Sequence, residues 1–517
     1  MQRAAPDASQ TAMTSVFDHG GFKPCPAPFN MAAHVLAHAN LTPDKLALQI
    51  VGPEGSHDWT YAALKSAVLG TATGLQTLGL EPGARVLLRL SNTVDFPLAY
   101  LGALAAGMVP VPTSASLTDR EVAHILSTLR PDVVLHDPDV VCPLIPNAIN
   151  LETLRAMQSL PAADWHMGDP NRLGYIIYTS GTSGTPRAVA HAHRAIWARQ
   201  MMFEGWYGLR EQDRVMHAGA LNWTYTLGTG LMDPWTAGAT ALIPASGTAP
   251  AELPALMKRH GASIFAAAPG IYRQILRHHD KLDLPDLRHG LSAGEKLPSR
   301  VSRAWQTTTG SRILEAYGIS ECSTFISQAP DGSAQNDALG RPQNGRRIAI
   351  IGPDGPAPRN TEGTIAVRRD DPGLMLGYLD APEATAAKFQ GDWFMTGDQG
   401  AMDAHDQIIY LGRADDMMNA GGFRVSPIEV EQVLLEMPGI TGAGCAQIEV
   451  SPDVHVIAAF YTGPAALDDA ALHLYAGSKL ARYKQPRLYV HLPALPMGAN
   501  GKLQRRALAP LYEVRPK

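Results

Sequence analysis

Apolar positions along this chain alternate between two rhythms. Runs of three to eight apolar residues read as strands, and between them stretches with apolar residues three and four apart read as helices. From residue 30 the pattern predicts a helix through His34 and Val35, a strand over 46–51, and a helix over the segment WTYAALKSAVLGTATGLQTLGL, ended by Gly79. A strand RVLLRL, a helix reaching Gly107, a strand MVPVP, a helix over 119–129 and a strand DVVLHD follow. That order predicts an α/β fold with parallel sheet.

The same rhythm returns after residue 194. It predicts a helix over 194–206, a helix over 251–260, a strand ASIFAAAP, a helix over 270–276, a strand GLSAGE, a helix over 299–307 and a strand RILEAYG. Between 221 and 243, aromatics and glycines crowd an apolar stretch that reads as a pocket wall. Over 340–413 the pattern changes to short strands with turn signals (IAIIGPDG, GTIAVRR, WFMTGD, QIIYLGR), the mark of a small β-barrel-like subdomain. A polar, glycine-rich join, ADDMMNAGGFRVSP, leads into an independent α+β pattern. The chain therefore divides into a large N-terminal domain over 1–414, with two βα sheets and the β-subdomain, and a small C-terminal domain over 415–517. A join with few apolar residues can serve as a hinge. Residues 1–25, polar and proline-containing, read as a loose arm outside the core.

Composition narrows the classes. A chain of 517 residues exceeds one ordinary core, so at least two domains are expected. A net charge of -5 supplies no basic field for nucleic acid, and 45% hydrophobic with 18% charged residues describes a globular enzyme. The four cysteines are scattered without a C-x-x-C pair, which argues against a zinc site or a disulfide framework and fits a reducing cytoplasm. The most membrane-like run, over 96–112, is broken by glycine and proline and falls short of the ~20 residues a spanning helix needs. It reads as a buried helix followed by a buried strand. The first twenty residues lack the apolar core of a secretory signal.

The chemistry concentrates in YIIYTSGTSGTPRAVAHAHR, residues 175–194. An apolar strand runs into a loop whose hydroxyls (Thr179, Ser180, Thr182, Ser183, Thr185) can donate to anionic oxygens. Gly181 and Gly184 let the backbone approach a ligand, and Arg187 adds a fixed positive charge. Such a surface suits a triphosphate, although neither the Walker A nor the G-x-G-x-x-G spacing is present.

This stretch resembles the signature TSGTTGxPKG of the adenylate-forming superfamily of acyl-CoA synthetases, carrier-protein-loading adenylation domains and firefly-type luciferases. Arg187 stands where the family usually has Lys, and Ala188 where it usually has Gly. Further matches follow in the family's order: SAGE, YGISE, TGD, GRADD, GGFR and a late GK. Each is common alone; the ordered series is what carries the resemblance.

By resemblance, Gly294 and Glu295 border adenine, Tyr317 stacks on it with Gly318 beside it in the binding element, Ser320 contacts phosphate and Glu321 holds Mg²⁺. Asp398 and Arg413 grip the ribose, Asp415 is the hinge, and Arg424 helps assemble the site. Lys502 reaches the α-phosphate and the substrate carboxylate. Gly421 and Gly422 belong to a face that meets pantetheine after the C-terminal domain rotates. Trp223, Tyr225, Thr324 and Phe325 are candidates for the acid pocket, which shows no positive residue for a second acid group. The resemblance implies activation of a small, medium or aromatic monocarboxylate by ATP with Mg²⁺ and transfer to coenzyme A. The alternatives are a stand-alone enzyme that loads a carrier protein and a nucleotide-binding homologue without catalysis. A homodimer and a lysine-acylating regulator of Lys502 are admitted as partners.

Overall fold

The computed structural model describes residues 13–143, 145, 148–179, 187–332, 338–414, 416–420, 423–451, 454–480, 482–498 and 502–513. The largest element is a nine-stranded sheet. Its parallel core runs through Arg312–Ile319, His289–Ala293, Ile264–Ala266, Arg214–His217, Thr240–Pro244 and Leu46–Gly52. Antiparallel strands close both sides, Ser323–Ser327 and Arg341–Pro342 at one and Gly55–Thr60 at the other. Helices Leu253–Arg259, Pro269–Leu276 and Ser299–Thr309 bury Leu256, Tyr272 and Trp305 with Phe265 in one cluster.

A second, four-stranded parallel sheet holds Arg85–Arg89, Val109–Pro112, Val133–His136 and Ala148–Asn150. The helix Asp95–Ala105 is buried along its whole length, so the apolar run over 96–112 is core. Helix Asp119–Leu129 has the predicted bounds: Thr118 and Glu121 form a capping box, and Val122, Ile125 and Leu129 make its inner stripe.

One strand had no predicted counterpart, and three local expectations are corrected. The segment after the glycine-rich loop is a strand, Arg187–Ala192, paired antiparallel with Leu173–Thr179, so that loop joins a hairpin. The helix expected over 194–206 is broken into Ala195–Ala198 and a π-helical Phe203–Tyr207, because Trp206 and Tyr207 are both drawn into the core. The N-terminal arm is not wholly loose: Val16–Asp18 pairs with Arg347–Gly352, and Phe17 is buried among Ile348, Ile350 and Ile365. In addition, Trp59 and Thr60 end a strand, and the next helix begins at Tyr61 with the Thr60 hydroxyl accepting from the Ala63 N–H.

The β-subdomain is an antiparallel sheet of seven strands. It includes Gly363–Arg368, Trp393–Met402 and Ile408–Arg413. The C-terminal domain packs helices Pro427–Leu435 and Asp469–Lys479 on a sheet of Gly442–Ser451, Val454–Thr462 and Leu488–His491. Among the described residues no helix is long and apolar enough to cross a membrane.

Candidate active site

The parallel strands of the large sheet end together, and at two of these ends the side chains shrink: AAAP follows Phe265 and SAG follows Leu291. Small residues at the carboxyl ends of parallel strands leave room for a ligand. The turn from Tyr317 to Ser323 crosses this edge. At Gly318 a Cβ would lie 2.2 Å from the Ser323 carbonyl oxygen, so only glycine permits the close fold-back.

Tyr317 is held by its phenol, which donates to Asp398 Oδ2 at 2.5 Å, with its ring edge-on to Phe325 at 5.2 Å. Tyr410 donates to Asp398 Oδ1 at 3.2 Å, and Arg413, directly across the strand pair, stands 3.5 Å from the same oxygen. Burial raises the Asp398 pKa, while Arg413 and the two phenols act against the rise. Tyr317, Asp398 and Arg413 are thus brought together around one carboxylate.

Glu321 lies beside it. Its Oε1 accepts from the Tyr378 phenol at 2.7 Å, and the Arg187 guanidinium sits 5.0 Å from the centre of the Tyr378 ring. Lys388 is within electrostatic reach of Glu321, Arg413, Arg187 and Asp398, and burial lowers its pKa against the pull of Glu321. The Ser320 carbonyl accepts from His191 Nε2 at 2.8 Å, and His191 stacks on Tyr175 at 4.8 Å, which ties the turn to the hairpin below the glycine-rich loop.

Gly294 has φ +94°, and Trp223 packs where a side chain would begin, 2.6 Å from the Cβ position. Next to it, burial raises the Glu295 pKa, opposed by Arg273, Lys502 and Arg505. Lys502 arrives from the far end of the chain. The Gly498 N–H donates to its carbonyl at 2.7 Å, and Met497 bridges Leu503. Arg505 anchors the following segment by donating to both Glu431 oxygens at 2.8 and 2.6 Å. Lys502 is exposed to solvent, and Glu295, Asp398 and Arg413 lie within electrostatic reach of its ammonium. Burial lowers its pKa, Glu295 and Asp398 oppose that, and Arg413 adds to it.

In the proposed acid pocket, Tyr225 is buried, donates to the Leu291 carbonyl at 3.1 Å and meets Trp223 at 5.1 Å. Thr324 contacts the Met202 sulfur. Phe325 faces the other way, into the core of the β-subdomain with Leu339 and Ile350. Ser180, Gly181, Thr182, Ser183, Gly184, Thr185, Asp415, Gly421 and Gly422 lie outside the described residues, as do the side chains of Thr179 and Arg424.

Sequence reasoning missed Tyr378, Tyr410, Lys388 and the buried Arg199–Asp233 pair. Tyr378 follows Gly377 in a segment without local polar signal, and only its contact with Glu321 marks it.

A family model described as AMP-binding enzyme matches residues 35–379. The benzoate–CoA ligase of Thauera aromatica is 30% identical, over 95% of this chain and 98% of its own. Two solved structures share the architecture. A benzoate CoA ligase from Burkholderia xenovorans LB400 is 27% identical with TM-score 0.82, covering 93% of this chain and 99% of that one. The anthranilate CoA ligase AuaEII, in complex with anthranoyl-AMP, is 26% identical with TM-score 0.84, covering 95% and 99%. A match over most of the chain, together with the ordered series of motifs, means that this chain belongs to the AMP-binding enzyme family.

Proposed function

We infer that the chain is an AMP-forming acid:CoA ligase that activates an aromatic or related monocarboxylate as its acyl adenylate and passes the acyl group to coenzyme A. The observation that carries this reading is that Lys502, from the C-terminal domain, lies within electrostatic reach of Glu295 and Asp398 of the N-terminal domain. The substrate carboxylate oxygen attacks the α-phosphorus of ATP, and pyrophosphate leaves. Two anions are brought together in that step, so cations must face the developing charge, and no protein nucleophile is needed. Arg187 and Lys502 serve that role. Asp398, with Arg413 beside it, accepts from the ribose hydroxyls, and Tyr317 borders the adenine.

Glu321 suits Mg²⁺ as a hard oxygen donor. Bound there, Mg²⁺ would offset phosphate charge.

In the second step the C-terminal domain turns about Asp415, withdraws Lys502 and presents the segment around Gly421 and Gly422 to the thiol. Acylation of Lys502 would remove its charge and stop the first step. Four free cysteines support a cytoplasmic setting.

Pyrophosphate release measured over a panel of acids, with and without coenzyme A, tests the assignment. Acid-dependent release with formation of a CoA thioester is expected. Acid-dependent release without a CoA thioester would make the acceptor a carrier protein, and ATP binding without any release would mean a catalytically silent homologue.

A further inference from the structure

A cavity of about 560 Å³ opens where the N-terminal arm meets the β-subdomain, and it shares no lining residue with the candidate active site. Its wall is charged. Lys23 comes from the arm, Arg194 from just beyond the hairpin strand Arg187–Ala192, and Arg347 and Arg369 from the β-subdomain, with Asp370 and Asp371 next in the chain.

These charges do not cancel. Arg347 donates through Nε to Asp18 Oδ1 at 3.2 Å and through Nη1 to Asp370 Oδ2 at 2.7 Å, so Asp370 already has its cation. Asp371 is held behind the wall: its Oδ1 accepts from Arg346 Nη1 at 2.5 Å and from the Gly373 N–H at 2.8 Å. Among the described residues, Lys23, Arg194 and Arg369 have no carboxylate in ion-pair contact.

Arg194 shows most clearly what the cavity lacks. Its Nε donates to Asn171 Oδ1 at 2.8 Å, and its Nη1 donates to the carbonyls of Pro372 and Leu374. All three acceptors are neutral, and Nη2 has no acceptor among the described residues. Burial disfavours the charge, while Asp371 opposes that from beyond contact distance. A guanidinium keeps its proton, so it carries this charge at a cost that an incoming anion would offset.

The other two cations are supported without being neutralised. The Lys23 ammonium lies 4.8 Å from the Trp197 ring centre and 5.7 Å from that of Phe22, and ring faces attract a cation but carry no net charge. Arg369 stacks 3.8 Å over the Phe389 ring and donates through Nη2 to the Gly391 carbonyl at 3.0 Å. Three cations from three segments thus line one cavity with no anion assigned to them. A monocarboxylate brings one charge and two oxygens. A phosphate brings close to two charges and three or more oxygens, and guanidinium forks match its geometry. The volume lies in the range of small-molecule sites, and Pro24, Pro170 and Pro372 leave an uncharged face for an organic part.

We propose that this cavity binds a phosphate-bearing small molecule through Lys23, Arg194 and Arg369, apart from the site proposed for ATP. It does not depend on the acid:CoA ligase reading, which the release of pyrophosphate over the acid panel tests separately.

Isothermal titration calorimetry on the full chain tests it, with inorganic phosphate and ribose 5-phosphate as probes and acetate at matched ionic strength as the control anion. The cavity variant is Lys23→Ala with Arg369→Ala, two exposed positions whose loss should leave the fold intact, as circular dichroism checks. The comparison variant, Arg277→Ala with Lys281→Ala, removes two exposed cations that do not line the cavity. At least one phosphate probe should bind and acetate should not. The cavity variant should weaken that binding at least roughly tenfold, and the comparison variant should keep it. Binding of inorganic phosphate would identify the free ion as a sufficient ligand, and binding of ribose 5-phosphate alone would identify a phosphate ester. If the cavity variant does not fold, Lys23→Ala alone carries the test with the same sign. Failure of both phosphate probes to bind overturns the proposal, as does acetate binding equally well. A probe that binds the intact chain and the folded cavity variant alike is held elsewhere, and that result overturns it too.

Discussion

Two groups of charged side chains flank the turn between Tyr317 and Ser323, and they are built in opposite ways. Arg199 and Asp233 are buried together, doubly hydrogen-bonded and surrounded by hydroxyls that complete the set. Across the turn, Arg413 and Asp398 stand 3.5 Å apart, and Glu321 adds a like charge that raises the Asp398 pKa further. Lys502 loses part of its preference for the charged form by burial. The first group satisfies itself, and the second holds unlike and like charges near one another without settling them. A set of the second kind gains most when a charged ligand arrives, which is why strongly perturbed groups gather at functional sites.

The contrast is broken most severely at Asp233. Asp233→Asn leaves the Arg199 charge buried and uncompensated, with an expected loss of ~3–5 kcal/mol in folding stability. Denaturant titration of the variant beside wild type measures it, and a loss below ~1 kcal/mol would mean that water reaches the pair. Removing a charge from the other group should hardly move stability while it lowers rate.

A smaller effect is expected at Tyr378. Tyr378→Phe deletes one donor to the Glu321 carboxylate, so adenylate formation should fall by roughly tenfold and need more Mg²⁺ for half-maximal rate. Magnesium titration of pyrophosphate exchange reads both, and an unchanged midpoint would separate Tyr378 from the metal.

The smallest effect is a shift in pH dependence. In the proposed first step Lys502 acts only when protonated, and burial lowers its pKa. Adenylation should therefore decline, as pH rises, at a point below the ordinary lysine range. Lys502→Arg should move that decline upward while lowering the maximal rate. A pH profile of pyrophosphate exchange in both proteins checks the sign.

How much of this could be read from the sequence depends on the range of the interaction concerned. Helix Asp119–Leu129 is legible because its cap, Thr118 with Glu121, and its apolar stripe are all within twelve positions. The grouping of Tyr317, Asp398 and Arg413, proposed for the nucleotide, is legible because each sits in a short motif. Val16–Asp18 is not, since its pairing partner is more than three hundred residues away and three residues carry no pattern of their own. The break between Ala198 and Phe203 escapes a helical reading because local spacing cannot show that Trp206 must reach the Leu314 carbonyl, to which it donates at 3.0 Å. Arg199 and Asp233 lie on separate elements, and neither stands in a motif, so the positive charge that sequence reasoning did not find near the pocket comes from a helix upstream of it.

The account turns on Lys502 acting in the first half-reaction and standing aside in the second. Lys502→Ala, assayed separately for pyrophosphate exchange and for thioester formation from supplied acyl adenylate, tests that directly. The predicted result is a loss of at least ~10²–10³-fold in exchange, as for one charge-stabilising donor, with thioester formation nearly intact. An equal fall in both half-reactions would contradict it.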